Sequence, residues 1–324
     1  MARRDPTAGL ALLLVVAATA SAVDLHRIES HTLVVYTTPA LRDVLEDHLI
    51  PRFEAATGIR VEPVYMSAGE EYYRVRLSRD RPEADVFLHA SPLLIEKGYH
   101  EGHFLPIPDP ALDVGDGNRS GEVPGGRVWI AFAWSPLVTV HASGRAAPDL
   151  AEEGLEWGLP HPLLSNNGVY ASLFLETTDP EAGARAVANT VVQPTNARAT
   201  IGGVADGSFD VTLGYEAVAR FYQGLGAKVA FDVPRVAGVR ATTPVLFSAG
   251  LVAHHPHEGA ETLIAFLFTP EAQAGLAEFH LRPVDPAVPL PGGALSLDGA
   301  EVLEFDWADW KVFETELRRY EVTE

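Results

Sequence analysis

A cycle repeated three times before residue 100 constrains this chain more than any other feature. Each round reads as an apolar strand, a small polar turn and a helix. Thr32-Leu33-Val34-Val35-Tyr36 is the first strand and Thr37-Thr38-Pro39 the first turn. Leu41, Val44, Leu45, Leu49 and Phe53 then recur at helical spacing until Thr57-Gly58 stops the helix. Ile59-Arg60-Val61-Glu62-Pro63-Val64-Tyr65 alternates as a second strand, and Ser67-Ala68-Gly69 turns into a helix through Tyr73, Val75 and Leu77. Ala84-Asp85-Val86-Phe87-Leu88 is the third strand, and Ser91-Pro92 opens the third helix. Short apolar strands alternating with helices predict a doubly wound α/β sheet with parallel strands buried between helix layers.

Such sheets bind ligands beyond the carboxyl ends of their strands, where helix N-termini present free N–H groups. The three turns there give Thr37, Thr38, Ser67, Ala68, Gly69 and Ser91 as candidate ligand-binding residues. Each is a hydroxyl or a small residue that lets the backbone approach a ligand. The same hydroxyls serve equally well as helix N-caps.

Further along, residues 106–126 are rich in Pro, Gly and Asp and read as a loop. Residues 129–140 are apolar but contain Ser135-Pro136. A proline excludes an ordinary central strand and fits a strand that crosses between two lobes, which adds Ser135 to the candidates. Residues 155–162 read as a loop holding a buried Trp157. Ser165-Asn166-Asn167-Gly168 reads as a polar loop feeding a helix over 169–176, so Asn166, Asn167 and Gly168 form a second candidate wall. Helices are expected over 180–191 and 195–205, and a strand over 209–215 that ends on Tyr215, the favoured ligand residue of this part. Strands at 228–233 and 245–253 follow, then a helix at 260–268. Thr269-Pro270 caps and starts another helix, and a last one spans 307–320.

Composition narrows the function classes. A chain of 324 residues exceeds what one core usually organises, so two lobes are expected. The charge of −20, from 44 acidic against 24 basic residues, argues against nucleic acid and anionic lipid as partners. The absence of cysteine removes thiolate catalysis, iron–sulfur clusters and thiolate zinc sites. Met1-Ala2-Arg3-Arg4, an apolar run over 10–18 and Ala20-Ser21-Ala22 have the order of a secretory signal peptide, placed at 1–22, with an uncleaved anchor as the alternative. Either way the globular part is expected outside the cytoplasm. No nucleophile elbow, zinc-protease motif, P-loop or dinucleotide fingerprint occurs, and nothing pairs the Ser, His and Asp residues, so no enzyme activity is expected. Two constellations bear on metals. Glu70-Glu71-Tyr72-Tyr73 offers hard oxygen ligands, but neighbours on a helix point apart, and acidic residues also suit a helix N-terminus. His254-His255-Pro256-His257-Glu258 looks metal-like, but Pro256 interrupts any helix and the run reads as a solvated loop.

The order of segments resembles the type 2 periplasmic binding proteins. Leu33-Val34-Val35-Tyr36, then Phe53-Glu54-Ala55-Ala56-Thr57-Gly58-Ile59-Arg60-Val61, then Ala84-Asp85-Val86-Phe87 are similar to their N-terminal lobe. Ala265-Phe266-Leu267-Phe268-Thr269-Pro270-Glu271-Ala272-Gln273, Arg282-Pro283-Val284-Asp285-Pro286 and Phe305-Asp306-Trp307 resemble their C-terminal blocks. The resemblance implies two doubly wound α/β lobes joined by two crossover strands, at 24–130 plus 240–324 and at 131–239. It implies hinge closure on a small ligand and delivery to the permease and ATPase of an ABC importer. A monomer without cofactor is expected. The ferric branch uses two adjacent tyrosines where this chain has Tyr215-Glu216, with Tyr222 or Glu216 as possible substitutes. The molybdate/tungstate branch has a single tyrosine matching Tyr215 and a run like Thr243-Pro244-Val245, although Ala40 and Ala68 stand at its serine positions. A small oxyanion is favoured. Ferric iron, phosphonate and thiamine-type ligands stay open, as do a sensory subunit and a secreted enzyme on the same scaffold.

Overall fold

The computed structural model describes residues 32–108, 119–253 and 259–322. The expected signal segment 1–22 and the histidine run 254–258 lie outside the described residues.

The three opening rounds are β1 (Thr32–Thr37), a helical stretch ending in α1 (Ile50–Thr57), β2 (Arg60–Tyr65), α2 (Ala68–Leu77), β3 (Val86–His89) and α3 (Leu93–His100). The stretch before α1 is irregular, with a 3-10 turn, a short α segment and a π turn at Leu45–Leu49. Pro51 has no N–H to give the carbonyl one turn back, which accounts for the widened turn just before it. Gly58 closes α1 at φ 73°, a conformation that glycine enters without strain.

Short β4 (Phe104–Leu105) and β5 (Ser120–Val123) precede the 17-residue β6 (Gly126–Ala142). Then come β7 (Trp157–Gly158), α4 (Asn166–Thr178), α5 (Pro180–Ala188), β8 (Thr190–Val192), α6 (Ala197–Asp206), β9 (Val211–Tyr215), α7 (Glu216–Gly224) and β10 (Val229–Asp232). The chain finishes with β11 (Arg235–Val236), β12 (Val239–Thr242), β13 (Pro244–Val252), α8 (Gly259–Phe266), α9 (Pro270–Glu278), β14 (Arg282–Pro283), β15 (Glu301–Val302) and α10 (Trp310–Leu317).

The main sheet runs β2-β1-β3-β13-β6-β9-β7-β8. β1 is parallel to β2 and β3, as doubly wound strands should be, and β13 enters antiparallel between β3 and β6. β6 belongs to both halves of this sheet. Residues up to Pro136 pair with β13, and Leu137 onward pairs with β9. The change of partner falls where Pro136 lies opposite Pro244, two residues that cannot donate to a ladder. Leu137 N–H donates instead to the Thr243 carbonyl at 3.0 Å, and the Thr242 hydroxyl to the Leu137 carbonyl at 2.7 Å. The proline in the apolar run thus marks a strand that crosses from one half-sheet to the other.

Helices cover both faces. Phe53 of α1 meets Phe266 of α8 edge-on at 5.6 Å, and Phe87 of β3 meets Phe104 at 5.3 Å beneath α3. α10 packs on α4 and α3, with Lys97 and Glu314 paired at 2.6 Å and Trp307 against Tyr170 at 5.2 Å. Trp157 is buried, as expected, within β7 rather than in a loop. Other features depart from the expectations, among them a strand at Thr190–Val192 where the helix over 180–191 was expected to run on. Residues 120–123 form a strand paired with β6 inside a stretch read as loop. β11, β12 and β15 form a small separate sheet that left no periodic signal. α4 begins at Asn166, so Asn166-Asn167-Gly168 is its first turn rather than a loop before it.

Candidate functional site

The carboxyl ends of β1 and β3 and the first turn of α2 face the first turn of α4, the end of β9 and the start of α6. Contacts span that gap at two places. Gly69 N–H of α2 meets the Leu164 carbonyl, just before α4, at 3.5 Å. A Cβ on Gly69 would stand 2.6 Å from Leu164 Cδ2, so a larger residue here would have to move that leucine side chain. On the other side of β1, Arg198 of α6 donates to the Pro39 carbonyl at 3.1 Å and pairs with Asp43. The two halves therefore close on each other around the ends of β1 and β3.

Among the candidate residues, several hydroxyls are spent on local structure. Ser67 donates to Glu70 at 2.8 Å, and Glu70 also accepts the Ser67 N–H at 3.0 Å. Thr38 Oγ1 accepts from Ala40 N–H at 3.5 Å, Ser91 Oγ from Leu93 N–H at 3.2 Å, and Ser135 Oγ from Ala217 N–H at 3.1 Å. Ser135 thereby ties the crossover strand to the first turn of α7. Ala68 is buried in the first turn of α2.

The remaining candidates carry polar atoms that are buried without a hydrogen-bond partner. These are Thr37 Oγ1, Asn166 Oδ1, both amide atoms of Asn167, and the Tyr215 hydroxyl, joined by Ser165 Oγ and Ser248 Oγ. Asn167 and Tyr215 are each 0% exposed. Buried polar groups are normally paired, so these unpaired atoms are candidates for ligand contact.

The first turn of α4 carries the same signature in its backbone. The leading N–H groups of any helix lack intrahelical acceptors and need a cap. α5, α6 and α9 have one, from Asp179, Asn196 and Thr269. Ser165 stands at the cap position of α4 and makes no such bond, although Asn166, Asn167 and Gly168 are all buried. Gly168 is what allows this burial. A Cβ there would lie 2.1 Å from the His161 carbonyl oxygen, so only glycine lets α4 start against the 160–161 backbone. The positive end of the α4 dipole is thus aimed, uncapped, into the interior.

Tyr215 sits in the wall between the halves, 5.8 Å from Phe247. Burial, reinforced by neighbouring Tyr170, pushes its hydroxyl well above the usual phenol range, so it stays a neutral donor. The Tyr170 oxygen accepts from Leu246 N–H at 2.9 Å, which anchors α4 to the crossing region of β13.

The metal readings fare differently. Glu70 caps α2, Glu71 is buried, Tyr72 donates to Glu101 at 2.5 Å, and Tyr73 is exposed, so the four diverge. Glu216 accepts from Arg282 at 2.8 Å, from Arg220 at 2.8 Å and from Leu295 N–H at 2.7 Å, and Tyr222 donates to the Arg198 carbonyl at 2.9 Å. Both proposed stand-ins for a second ferric tyrosine are thus engaged. Among the described residues no group of three or more His, Cys, Asp or Glu could hold a metal ion.

The family profile described as "Bacterial extracellular solute-binding protein" matches residues 33–282. No curated protein sequence matches the chain. Among solved structures, the periplasmic binding protein AfuA from Actinobacillus pleuropneumoniae, with fructose-6-phosphate bound, superposes with a TM-score of 0.75 at 14% identity, covering 89% of this chain and 96% of that one. A periplasmic thiamin binding protein gives 0.71 at 19% identity, over 90% and 95% of the two chains. The sulfate-binding protein SubI from Mycobacterium tuberculosis H37Rv gives 0.62 at 22% identity, over 84% and 93%. The fold is that of the type 2 periplasmic binding proteins.

Proposed function

This chain belongs to the bacterial extracellular solute-binding protein family, and from that premise we propose that it is the extracytoplasmic capture subunit of an ABC importer. Its lobes are residues 24–130 plus 240–324 and residues 131–239, and it works as a monomer that hands its solute to a membrane permease and ATPase. The solute is a small molecule with an oxyanion group, of which molybdate and tungstate are the simplest. It sits between the first turn of α4 and Tyr215 on one side and Thr37 on the other.

The uncapped, buried first turn of α4 carries this reading. Unpaired N–H groups at the positive end of a helix form an anion site, and Asn167 adds an amide donor without a partner. The ligand named for AfuA bears a phosphate and SubI is named for sulfate, while other solved structures of this fold are named for ferric ion, so the oxyanion reading rests on the first turn of α4 alone. Thermal unfolding with molybdate, tungstate, sulfate, phosphate, a phosphonate, ferric citrate and thiamine tests it. An oxyanion at 100 times its dissociation constant should stabilise the protein by about 2.7 kcal/mol. A shift with ferric citrate or thiamine alone would overturn the oxyanion assignment and leave the capture role standing.

A further inference from the structure

We infer that the C-terminal segment 307–322 travels with the second half and clasps α3 of the first half when the cleft is shut, through Glu314 on Lys97 and Trp310 on His100; this rests on the two-lobed capture reading and moves the segment from its first lobe to its second.

The segment sets out from beside the pivot. Leu303 N–H donates to the Thr242 carbonyl at 2.8 Å, and Thr242 is itself bonded to Leu137 at the Pro136 crossing. Arg119, just before β5 of the first half, holds Glu304 with bonds of 3.0 and 2.5 Å. The chain then passes to the second half, where Trp307 lies edge-on to Tyr170 of α4 at 5.2 Å. Residues 305–307 are thus a further connection between the halves, besides those at Pro136 and Pro244.

The far end of the segment is fixed to the second half. Tyr320 is 3% exposed and Leu317 0%. The Tyr320 hydroxyl and Arg319 both donate to Glu176 of α4, at 3.1 and 2.7 Å. The side-chain amide of Gln193, next to β8, donates to the Tyr320 carbonyl at 2.8 Å and accepts from Val322 N–H at 3.0 Å. A Cβ on Gly183 of α5 would stand 2.3 Å from the Tyr320 hydroxyl, so the glycine leaves room for that ring.

The hold on the first half is made by side-chain tips. Lys97 Nζ meets Glu314 Oε1 at 2.6 Å, with the two side chains 17% and 32% exposed, and His100 stacks on Trp310 at 6.2 Å. Beside these grips, Ala68 and Leu93 of the first half, Leu163 and Val169 of the second, and Trp310 and Leu317 line one cavity of about 30 Å³, too small for a solute. The seam under α10 is therefore shut. Swinging the halves apart about the crossing parts α3 from α4, and the segment can follow only one of them. Letting go of one partly screened ion pair and one ring contact costs less than pulling two buried side chains and their main-chain bonds off α4 and α5. The grip on α3 is the one that gives, so it stabilises the closed state alone.

The chain has no cysteine, so spin labels can be placed at will. Ala55→Cys on α1, Glu181→Cys on α5 and Val312→Cys on α10 all change exposed positions. Taken in pairs without added solute, they are measured by double electron–electron resonance in three backgrounds. These are the otherwise unchanged protein, Lys97→Glu, which sets two like charges together, and the swap Lys97→Glu with Glu314→Lys. In Lys97→Glu the ratio of long to short distances between positions 55 and 312 should rise about fivefold, the scale of a partly screened ion pair. The swap should restore it, the distance between 55 and 181 should lengthen in step, and that between 181 and 312 should stay fixed throughout. Lengthening between 181 and 312 with 55 to 312 fixed would place the segment with the first half. No change of any distance in Lys97→Glu would mean that there is no clasp. Either result overturns the inference and leaves the capture role standing. A single 55 to 181 distance in every background, and also with each solute of the thermal panel, would remove the two-lobed capture reading as well.

Discussion

At the scale of single residues, Glu71 and His89, both fully buried with Glu71 Oε2 3.4 Å from His89 Nε2, make stability depend on pH. In the unfolded chain the carboxyl titrates near 4.5 and the imidazole near 6.5. In the folded protein burial, with Glu70 nearby, raises Glu71 well above its range, and burial lowers His89 to about 4. The raised carboxyl contributes stability that is full below pH 4.5 and is lost as pH rises. The depressed imidazole contributes stability that is full above 6.5 and is lost as pH falls toward 4. Between 4.5 and 6.5 the two slopes oppose each other and cancel. Above 6.5 only the carboxyl slope is left, so stability should fall as pH rises, because the folded state holds its carboxyl proton more tightly than the unfolded. Urea unfolding at pH 5, 6, 7 and 8 measures this against Glu71→Leu, whose own stability should be free of that decline. Identical slopes for the two proteins above pH 6.5 would mean that Glu71 folds as an ordinary carboxylate.

At the scale of elements, how much could be read depended on whether the signal was local. Strands β1 to β3, the Gly58 stop and the Thr269-Pro270 start follow from periodicity and capping chemistry, which neighbours in sequence supply. Pro136 revealed the crossover because a missing N–H is a local fact with a long-range consequence. The start of α4 was not legible. Asn166-Asn167-Gly168 has turn propensity, and only packing against residues 160–161 makes it helical. The same holds for the site. Thr37, Asn166, Asn167 and Tyr215 are named from strand and helix ends, whereas the buried Glu71–His89 contact joins residues 18 apart that meet only across α2 and β3. Gly168→Ala exposes the dependence on packing. Its Cβ would fall 2.1 Å from a backbone oxygen that no rotamer can move, so α4 or the 160–161 loop must shift. A loss of about 1–3 kcal/mol is expected, together with weaker solute binding. Gly224→Ala, in α7 with nothing within 4 Å of the added carbon, is the control and should be neutral or slightly stabilising. Equal effects of the two changes on denaturant midpoint would show that the first turn of α4 is not packed as described.

For the whole molecule, the proposed hinge at the Pro136 crossing would sort the contacts between the halves into those near the pivot and those across the mouth. Glu216 is buried with Arg282 beside Trp134, two residues from the Pro136 crossing, so its bonds move little when the halves swing about that crossing. Arg198 is placed differently. It reaches from α6 to Pro39 and Asp43, beyond the end of β1, while stacking on Phe221 of its own half at 4.4 Å. Opening the cleft must break the first two contacts and keep the third. Its bonds therefore stabilise the closed state alone, and solute affinity scales with the closed population. The Arg198 side chain is 25% exposed and that of Asp43 31%, so the pair is partly screened and worth about 1 kcal/mol. Arg198→Ala should then weaken solute binding by up to about fivefold, with unfolding stability lowered by about 1 kcal/mol in saturating solute and by less in its absence. Small-angle scattering should show a larger radius of gyration without solute and a normal one with it. Glu216→Gln, which weakens the pivot in both states, should lower stability without enlarging the solute-free protein. If Arg198→Ala leaves both affinity and solute-free radius unchanged, the contact spans a surface that does not open, and the moving boundary lies elsewhere along β6.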